Sequence, residues 1–303
     1  MICLDNNECP WDILKEAKAE IASSIPWNRY PSAEAESSLI RRLGEYLLWE
    51  PENILLTNGG DEAILLLTII SSGKVIVSRP GFSVPERIAK ALGREVEPVA
   101  PRDIPLRRGG LAWLISPHNP LGFMYDQEEI TSAAENYGMV GVDCAYWEFS
   151  ETRPWEGIPD RKNILFIGTF SKAWGIASLR LGYILARDGI SAKIRQARLD
   201  YPVNGVALAA ASWMLGNIEL VRERVNKIIS ERERIKRSLR GLVDEVFDTR
   251  ANFVTFRARP GLKEDLARRR ILIKEYEVGL YRVTVGKPEE NEAFLFAIKE
   301  MLS

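Results

Sequence analysis

One lysine stands in a run of small and polar residues, Thr169-Phe170-Ser171-Lys172-Ala173-Trp174-Gly175-Ile176-Ala177-Ser178-Leu179-Arg180-Leu181-Gly182, between two apolar stretches at 164–167 and 181–186. Those stretches have the composition of buried strands. An ammonium in such a setting must be paired or must lose its proton through a lowered pKa, and the second outcome yields a nucleophilic amine able to condense with a carbonyl. Thr169, Ser171 and Arg180 add donors suited to a phosphate, the arginine through its planar fork. A ligand carrying both an aldehyde and a phosphate would satisfy both halves. A second ionisable group, Asp143, ends the apolar run 139–143. A carboxylate at the end of a buried strand is costly unless a cation pairs with it.

The elements around these residues follow from periodicity and punctuation. Residues 54–57 form a short strand signal, then Asn58-Gly59-Gly60-Asp61-Glu62 leads into an apolar helix over 63–70. Such a junction exposes unpaired N–H groups and the positive end of a helix dipole, which suits a phosphate, although Gly-Gly before a helix is by itself often just a turn. The glycine order is not G-x-G-x-x-G with an acidic ribose ligand, which disfavours a dinucleotide fold. Further strands are expected over 74–78, 111–115, 139–146, 251–256 and 279–286, and helices over 10–23, 126–136, 189–199, 205–214, 218–240 and 262–270. A polar connection over 98–110 separates two of the strands. Alternation of strands and helices between about residues 27 and 214 predicts a mainly parallel, helix-covered α/β sheet, with a smaller α/β domain after it. The expected division is 1–25, an arm and helix belonging to the smaller domain, 26–214, and 215–303.

Composition excludes several classes. The chain has 303 residues, and 41 basic against 42 acidic side chains give a net charge of -1, which offers no field for nucleic acid or an anionic membrane. Three cysteines are too few and scattered for a disulfide framework, and one histidine leaves little for a metal. No metal is expected, and the expected compartment is the cytoplasm. No apolar run reaches the length that spans a bilayer.

The lysine stretch resembles the cofactor-lysine motif of fold type I aminotransferases, and its form S-K-A-[FW]-G-x-A-x-L-R-x-G is most similar to the histidinol-phosphate aminotransferase family. Other segments fall in that family's order. Ser116-Pro117-His118-Asn119-Pro120-Leu121-Gly122 resembles N-P-x-N-P-T-G; Asp143-Cys144-Ala145-Tyr146 resembles D-E-A-Y; Arg282-Val283-Thr284-Val285-Gly286 resembles R-I-[ST]-[VI]-G. The resemblance covers nearly the whole chain and implies pyridoxal 5'-phosphate as cofactor. It assigns Lys172 to the aldehyde, Asp143 to the protonated ring nitrogen, and Asn119 and Tyr146 to the ring oxygen O3'. Gly59, Gly60, Asp61, Thr169, Ser171 and Arg180 are assigned to the phosphate. Phe82 takes the place of a ring-stacking aromatic, often tyrosine, and keeps the face without the hydroxyl; simple core packing is its alternative. Arg282 would bind the substrate anion, or would be a surface residue at a strand start. Asn252 falls near the same pocket, and Asn7 and Glu8 lie in an arm near the substrate or act as helix caps. Tyr30 is a candidate contact to the cofactor phosphate of a partner subunit, or an aromatic packed beneath a turn.

The resemblance therefore implies a homodimeric aminotransferase of amino-acid biosynthesis, with Lys172, Asp143 and Tyr146 catalytic. It would work by a ping-pong cycle between an amino donor and a 2-oxo acid. Threonine-phosphate decarboxylase shares the core motifs and is the alternative, followed by an inactive cofactor-binding relative. His118, Leu121 and Cys144 depart from the commonest family pattern, and the connection before Leu111 is short.

Overall fold

Apolar runs bounded by glycine, proline and polar turns become the strands of one seven-stranded sheet. The computed structural model describes residues 1–150, 152–187 and 189–302. It starts with β1 (Ile2–Cys3), α1 (Lys15–Ser23) and α2 (Ala33–Leu47), then continues with β2 (Ile54–Thr57), α3 (Gly59–Ile70), β3 (Val75–Ser78), α4 (Val84–Ala91) and β4 (Val96–Val99). There follow β5 (Gly109–Ile115), α5 (Gln127–Asn136), β6 (Tyr137–Asp143), β7 (Ile164–Thr169), β8 (Gly182–Leu185) and α6 (Ile190–Ala197). The sheet order is β2-β8-β7-β6-β5-β3-β4. β8 runs antiparallel to β2 and β7, while the other pairings are parallel, giving the mainly parallel sheet that the alternation predicts.

Both faces of this sheet are covered, so its strands are apolar at nearly every position. The period of two sends Leu55, Val75, Val77, Leu165, Ile167 and Ile184 to one core with α3, and Ile54, Ile76, Ala112, Leu114, Phe166 and Leu185 to the other. α2 adds Leu39, Leu43 and Leu47 at helical spacing, and its Ser32 N-cap accepts from the Ala35 N–H. α5 opens with a capping box between Asp126 and Glu129.

Beyond the large sheet come α7 (Gly205–Gly216), α8 (Ile218–Leu239), β9 (Glu245–Val246), β10 (Phe253–Arg257), α9 (Leu262–Arg268), β11 (Ile271–Leu272), β12 (Lys274–Glu277), β13 (Leu280–Thr284) and α10 (Pro288–Leu302). β12-β13-β10-β9 form an antiparallel sheet, and β1 pairs with β11. The long helix α8 links the two sheets. Its buried Arg232 donates to the carbonyls of Phe149 and Ala251, 3.2 and 3.0 Å away. No helix among the described residues is long and apolar enough to cross a membrane.

Several boundaries differ from expectation for local reasons. The first helix starts at Lys15 and not at Pro10, because Ile2, Leu4 and Asn7 tether the arm to residues 270–272 and to Thr284, and Asp12 turns its carboxylate onto the Ile13 N–H. α3 starts at Gly59, four residues early, so the glycine turn is itself the first helical turn. The polar connection over 98–110 contains the end of β4, an edge strand that tolerates Pro98 because one of its sides has no neighbour.

Candidate active site

The carboxyl ends of the parallel strands place the chemistry. β2, β3, β5, β6 and β7 stop at Thr57, Ser78, Ile115, Asp143 and Thr169, and the antiparallel β8 starts at the same edge, with Gly182 opposite both Thr57 and Thr169. Ligands of open α/β sheets bind outside such ends. A cavity of about 220 Å³ lies there, lined by Gly60, Asp61, Phe82, Asn119, Asp143, Tyr146, Thr169, Ser171, Lys172 and Arg180 among others. Gly59 sits just beneath it. Its φ is +74°, and a Cβ there would stand 2.7 Å from Arg180 Nη2. Only glycine lets the turn tuck under that guanidinium. Arg180 itself has φ 55° and donates to Asp61 at 3.1 Å; this pair is half exposed, so it orients the arginine more than it stabilises the fold. Thr169 donates to Ser171 Oγ at 3.0 Å and accepts from the Ser171 N–H at 3.1 Å, which clusters the hydroxyls at the end of β7.

Lys172 is half-buried and donates to the Asn6 carbonyl at 3.0 Å. Burial, then the Arg282 guanidinium, lowers its pKa from 10.5 to about 8, against the opposing pull of Glu8 and Asp143. Asp143 is 7% exposed, and among the described residues it forms no ion pair within 4.0 Å. Burial raises its carboxyl from 3.8 to about 6, the Ala145 N–H at 3.0 Å partly offsets this, and Asp61 adds to it. The amine and the acid thus face one cavity, each displaced toward its neutral form.

A second cleft of about 520 Å³ adjoins the first and shares Phe82, Asn119, Tyr146 and Lys172 with it. Arg282, on β13, is 4% exposed and has no carboxylate partner among the described residues. Its Nη1 donates to Asn119 Oδ1 at 2.7 Å and to the Tyr276 hydroxyl at 2.6 Å, its Nη2 donates to the Asp5 carbonyl, and its Nε has no partner among the described residues. A buried cation held only by neutral groups is costly and suits an incoming anion. Tyr146 accepts from the amides of Asn7 at 3.0 Å and Asn119 at 3.3 Å, and burial pushes its hydroxyl pKa upward. Asn7 has φ 54° and is 1% exposed; it exchanges bonds with Thr284 and accepts from Asn252 at 3.0 Å. Neither Asn7 nor Glu8 caps α1. Asn252 lines neither cavity; it holds the arm that does.

Tyr30 is 77% exposed and stacks on Tyr201 at 4.5 Å, outside both linings in its own chain. His118 is buried, stacked 4.9 Å from Phe123, and lowered by burial to about 3; it too lies outside the cavities. Cys144 is wholly buried. Sequence reasoning passed over Tyr276. It lies in the charged tetrapeptide Lys-Glu-Tyr-Glu, where the register shifts between Glu275 and Glu277, so the strand's own pattern does not show that it meets Arg282.

The profile of the aminotransferase class I and II family matches residues 1–298 of this chain. The chain belongs to that family. This aminotransferase is 30% identical to the histidinol-phosphate aminotransferase of Pyrococcus furiosus over 323 residues, spanning 99% of the chain and 92% of the relative. The histidinol-phosphate aminotransferase structure from Clostridium acetobutylicum superposes with a TM-score of 0.89 at 23% identity over 99% of each chain. The L-threonine-O-3-phosphate decarboxylase structure from Porphyromonas gingivalis reaches 0.84 at 22% identity over 100% and 99%. The neighbours share the fold type I architecture of pyridoxal-phosphate enzymes, and the aminotransferase uses that cofactor. Its residues fit the group: the buried Asp143 carboxyl, without a cationic partner among the described residues, could pair with a pyridinium, the Lys172 amine faces the same cavity, and α3 starts at that cavity with no side-chain cap hydrogen bond.

Proposed function

We propose that this aminotransferase moves an amino group between a 2-oxo acid and an amino acid or a histidinol-phosphate-like amino-alcohol phosphate, by a ping-pong cycle. One observation carries the reading: Lys172 and the buried Asp143 line one cavity, each pushed toward its neutral form by burial, and the buried Arg282, without a carboxylate partner among the described residues, lines the cleft that adjoins it. Lys172 would hold the coenzyme's aldehyde, Asp143 its ring nitrogen, and Asn119 and Tyr146 its ring oxygen. Phe82 would cover the ring, and Arg180, Ser171, Thr169 and the turn of Gly59, Gly60 and Asp61 would hold the phosphate. The bound coenzyme supplies an electron sink for the charge left when an alpha proton departs. Lys172 Nζ, whose pKa burial lowers to about 8 so that a sizeable fraction is unprotonated near that pH, would take the proton from the substrate's alpha carbon and later return one. Asp143 keeps a proton at the ring nitrogen. Arg282 would orient donor and acceptor in turn through the anion each carries, with Asn7 lining the cleft beside it and Asn252 holding Asn7 in place.

The histidinol-phosphate class is supported by the names of relatives near 30% identity across the whole chain. Initial rates with donor and acceptor varied together should give parallel reciprocal plots, and intersecting plots would reject the cycle. Glutamate formed from 2-oxoglutarate without release of CO2 is expected; CO2 released in step with substrate loss would replace transfer by decarboxylation.

The same proposal includes a homodimer in which Tyr30 reaches the partner's phosphate site, supported by the exposed Trp27, Tyr30, Leu199 and Tyr201. It also groups 1–25 with 215–303 as a smaller domain beside 26–214, supported by the pairing of β1 with β11. A cytoplasmic location accords with three unpaired cysteines.

A further inference from the structure

Tyr276 occupies an irregular point of the β12–β13 hairpin. Glu275 stands opposite Tyr281 and Glu277 opposite Leu280, so Tyr276 is the extra residue of a bulge. Bulges re-aim side chains next to active sites. Here the ring is turned onto Arg282, whose guanidinium carbon lies 5.4 Å from the Tyr276 centroid and 5.4 Å from that of Phe253 on the neighbouring strand. The chemistry of the groups fixes every proton in the contact. Arginine only donates, so the atom of Asn119 facing Arg282 Nη1 at 2.7 Å is its oxygen, and the Tyr276 oxygen at 2.6 Å from the same nitrogen is an acceptor. The Tyr276 proton then has one acceptor in reach, Asn119 Oδ1 at 2.7 Å. With its oxygen held by two donors, Asn119 must turn its NH₂ toward Tyr146.

We propose that Tyr276 is a positioning residue for amino-group transfer, locking the Arg282 fork and the Asn119 amide in one orientation so that the substrate-anion anchor and the ring-oxygen anchor act as a unit. This rests on the reading of Arg282 and Asn119 given above. The test uses the coenzyme-loaded enzyme and Tyr276→Phe, which keeps the ring and removes the hydroxyl. Two quantities are measured: the Kd of a dicarboxylate inhibitor, and the pH midpoint of the bound coenzyme's absorption change. Loss of a hydrogen bond to a charged group is worth about tenfold or more. The Kd is therefore expected to rise about tenfold and the midpoint to move. In an Asn119→Ala background, Tyr276→Phe should leave the midpoint where Asn119→Ala alone puts it, because the path through the amide is already gone. Wild-type values in Tyr276→Phe overturn the proposal, as does an equal midpoint shift with and without Asn119. Tyr276→Leu separates ring from hydroxyl: a defect confined to the leucine variant assigns the residue to packing and also overturns it. A wild-type protein that takes up no coenzyme would overturn the proposed function instead, and that outcome is seen before any variant is compared.

Discussion

Replacing Arg282 with alanine should remove the preference for substrates that carry an anion. The buried guanidinium already holds Asn119, Tyr276 and the Asp5 carbonyl, and its Nε has no partner among the described residues. An incoming carboxylate or phosphate would gain two charge-assisted bonds of about 1.5–3 kcal/mol each, so the variant should lose about 10²- to 10⁴-fold in kcat/KM. Arg282→Lys keeps the charge without the fork and should fall by about 10- to 100-fold. The assay compares kcat/KM for a phosphorylated or carboxylated amino donor with that for the same amine lacking the anion, at saturating acceptor. The anionic donor should fall toward the uncharged one, which itself hardly changes. Retained coenzyme absorbance shows that the rest of the site is intact. An equal loss for both donors would refute an anion-binding role, because it would mean that the variant damages the site as a whole.

Asp143 makes stability depend on pH. In protein stripped of coenzyme its carboxyl is raised from 3.8 to about 6, so its contribution to stability is fully present below 3.8 and is lost as pH rises through 6. Asp143→Asn should therefore stabilise the stripped protein against unfolding by about 3 kcal/mol at pH 8 and by about half that at pH 5, and an equal effect at both pH values would contradict this account of the acid. For Tyr30, subunits carrying Lys172→Ala are mixed with subunits carrying Tyr30→Ala. If Tyr30 serves the partner's site, each hybrid dimer holds one native site and activity reappears, whereas Tyr30 acting within its own chain leaves the hybrid as weak as its parents.

What the sequence revealed depends on how local each signal is. Asp143 ends a buried apolar strand, and Lys172 and Asn119 each follow one in a turn whose composition is unusual, so strand end and site coincide in the linear order. Arg282 is legible from the alternation with Val283 and Val285, which puts it on one face of β13. The Asn7 and Asn252 bond joins residues at opposite ends of the chain, and no periodicity announces it. Tyr276 was hidden because a bulge sets its direction, and a bulge depends on the pairing partner and not on the strand's own pattern. β4 was missed because Pro98 and Glu97 argue against a strand unless it lies at an edge. The helix expected from Pro10 starts only at Lys15 because long-range bonds from Ile2, Leu4 and Asn7 tie the arm down to residues 270–272 and Thr284.

The account stands most directly on the covalent bond that Lys172 makes. Purified protein supplied with pyridoxal phosphate should turn yellow, borohydride should bleach that band, and a digest should recover the reduced pyridoxyl group on the peptide containing Lys172. Protein that stays colourless, or a label on any other lysine, would contradict the central claim.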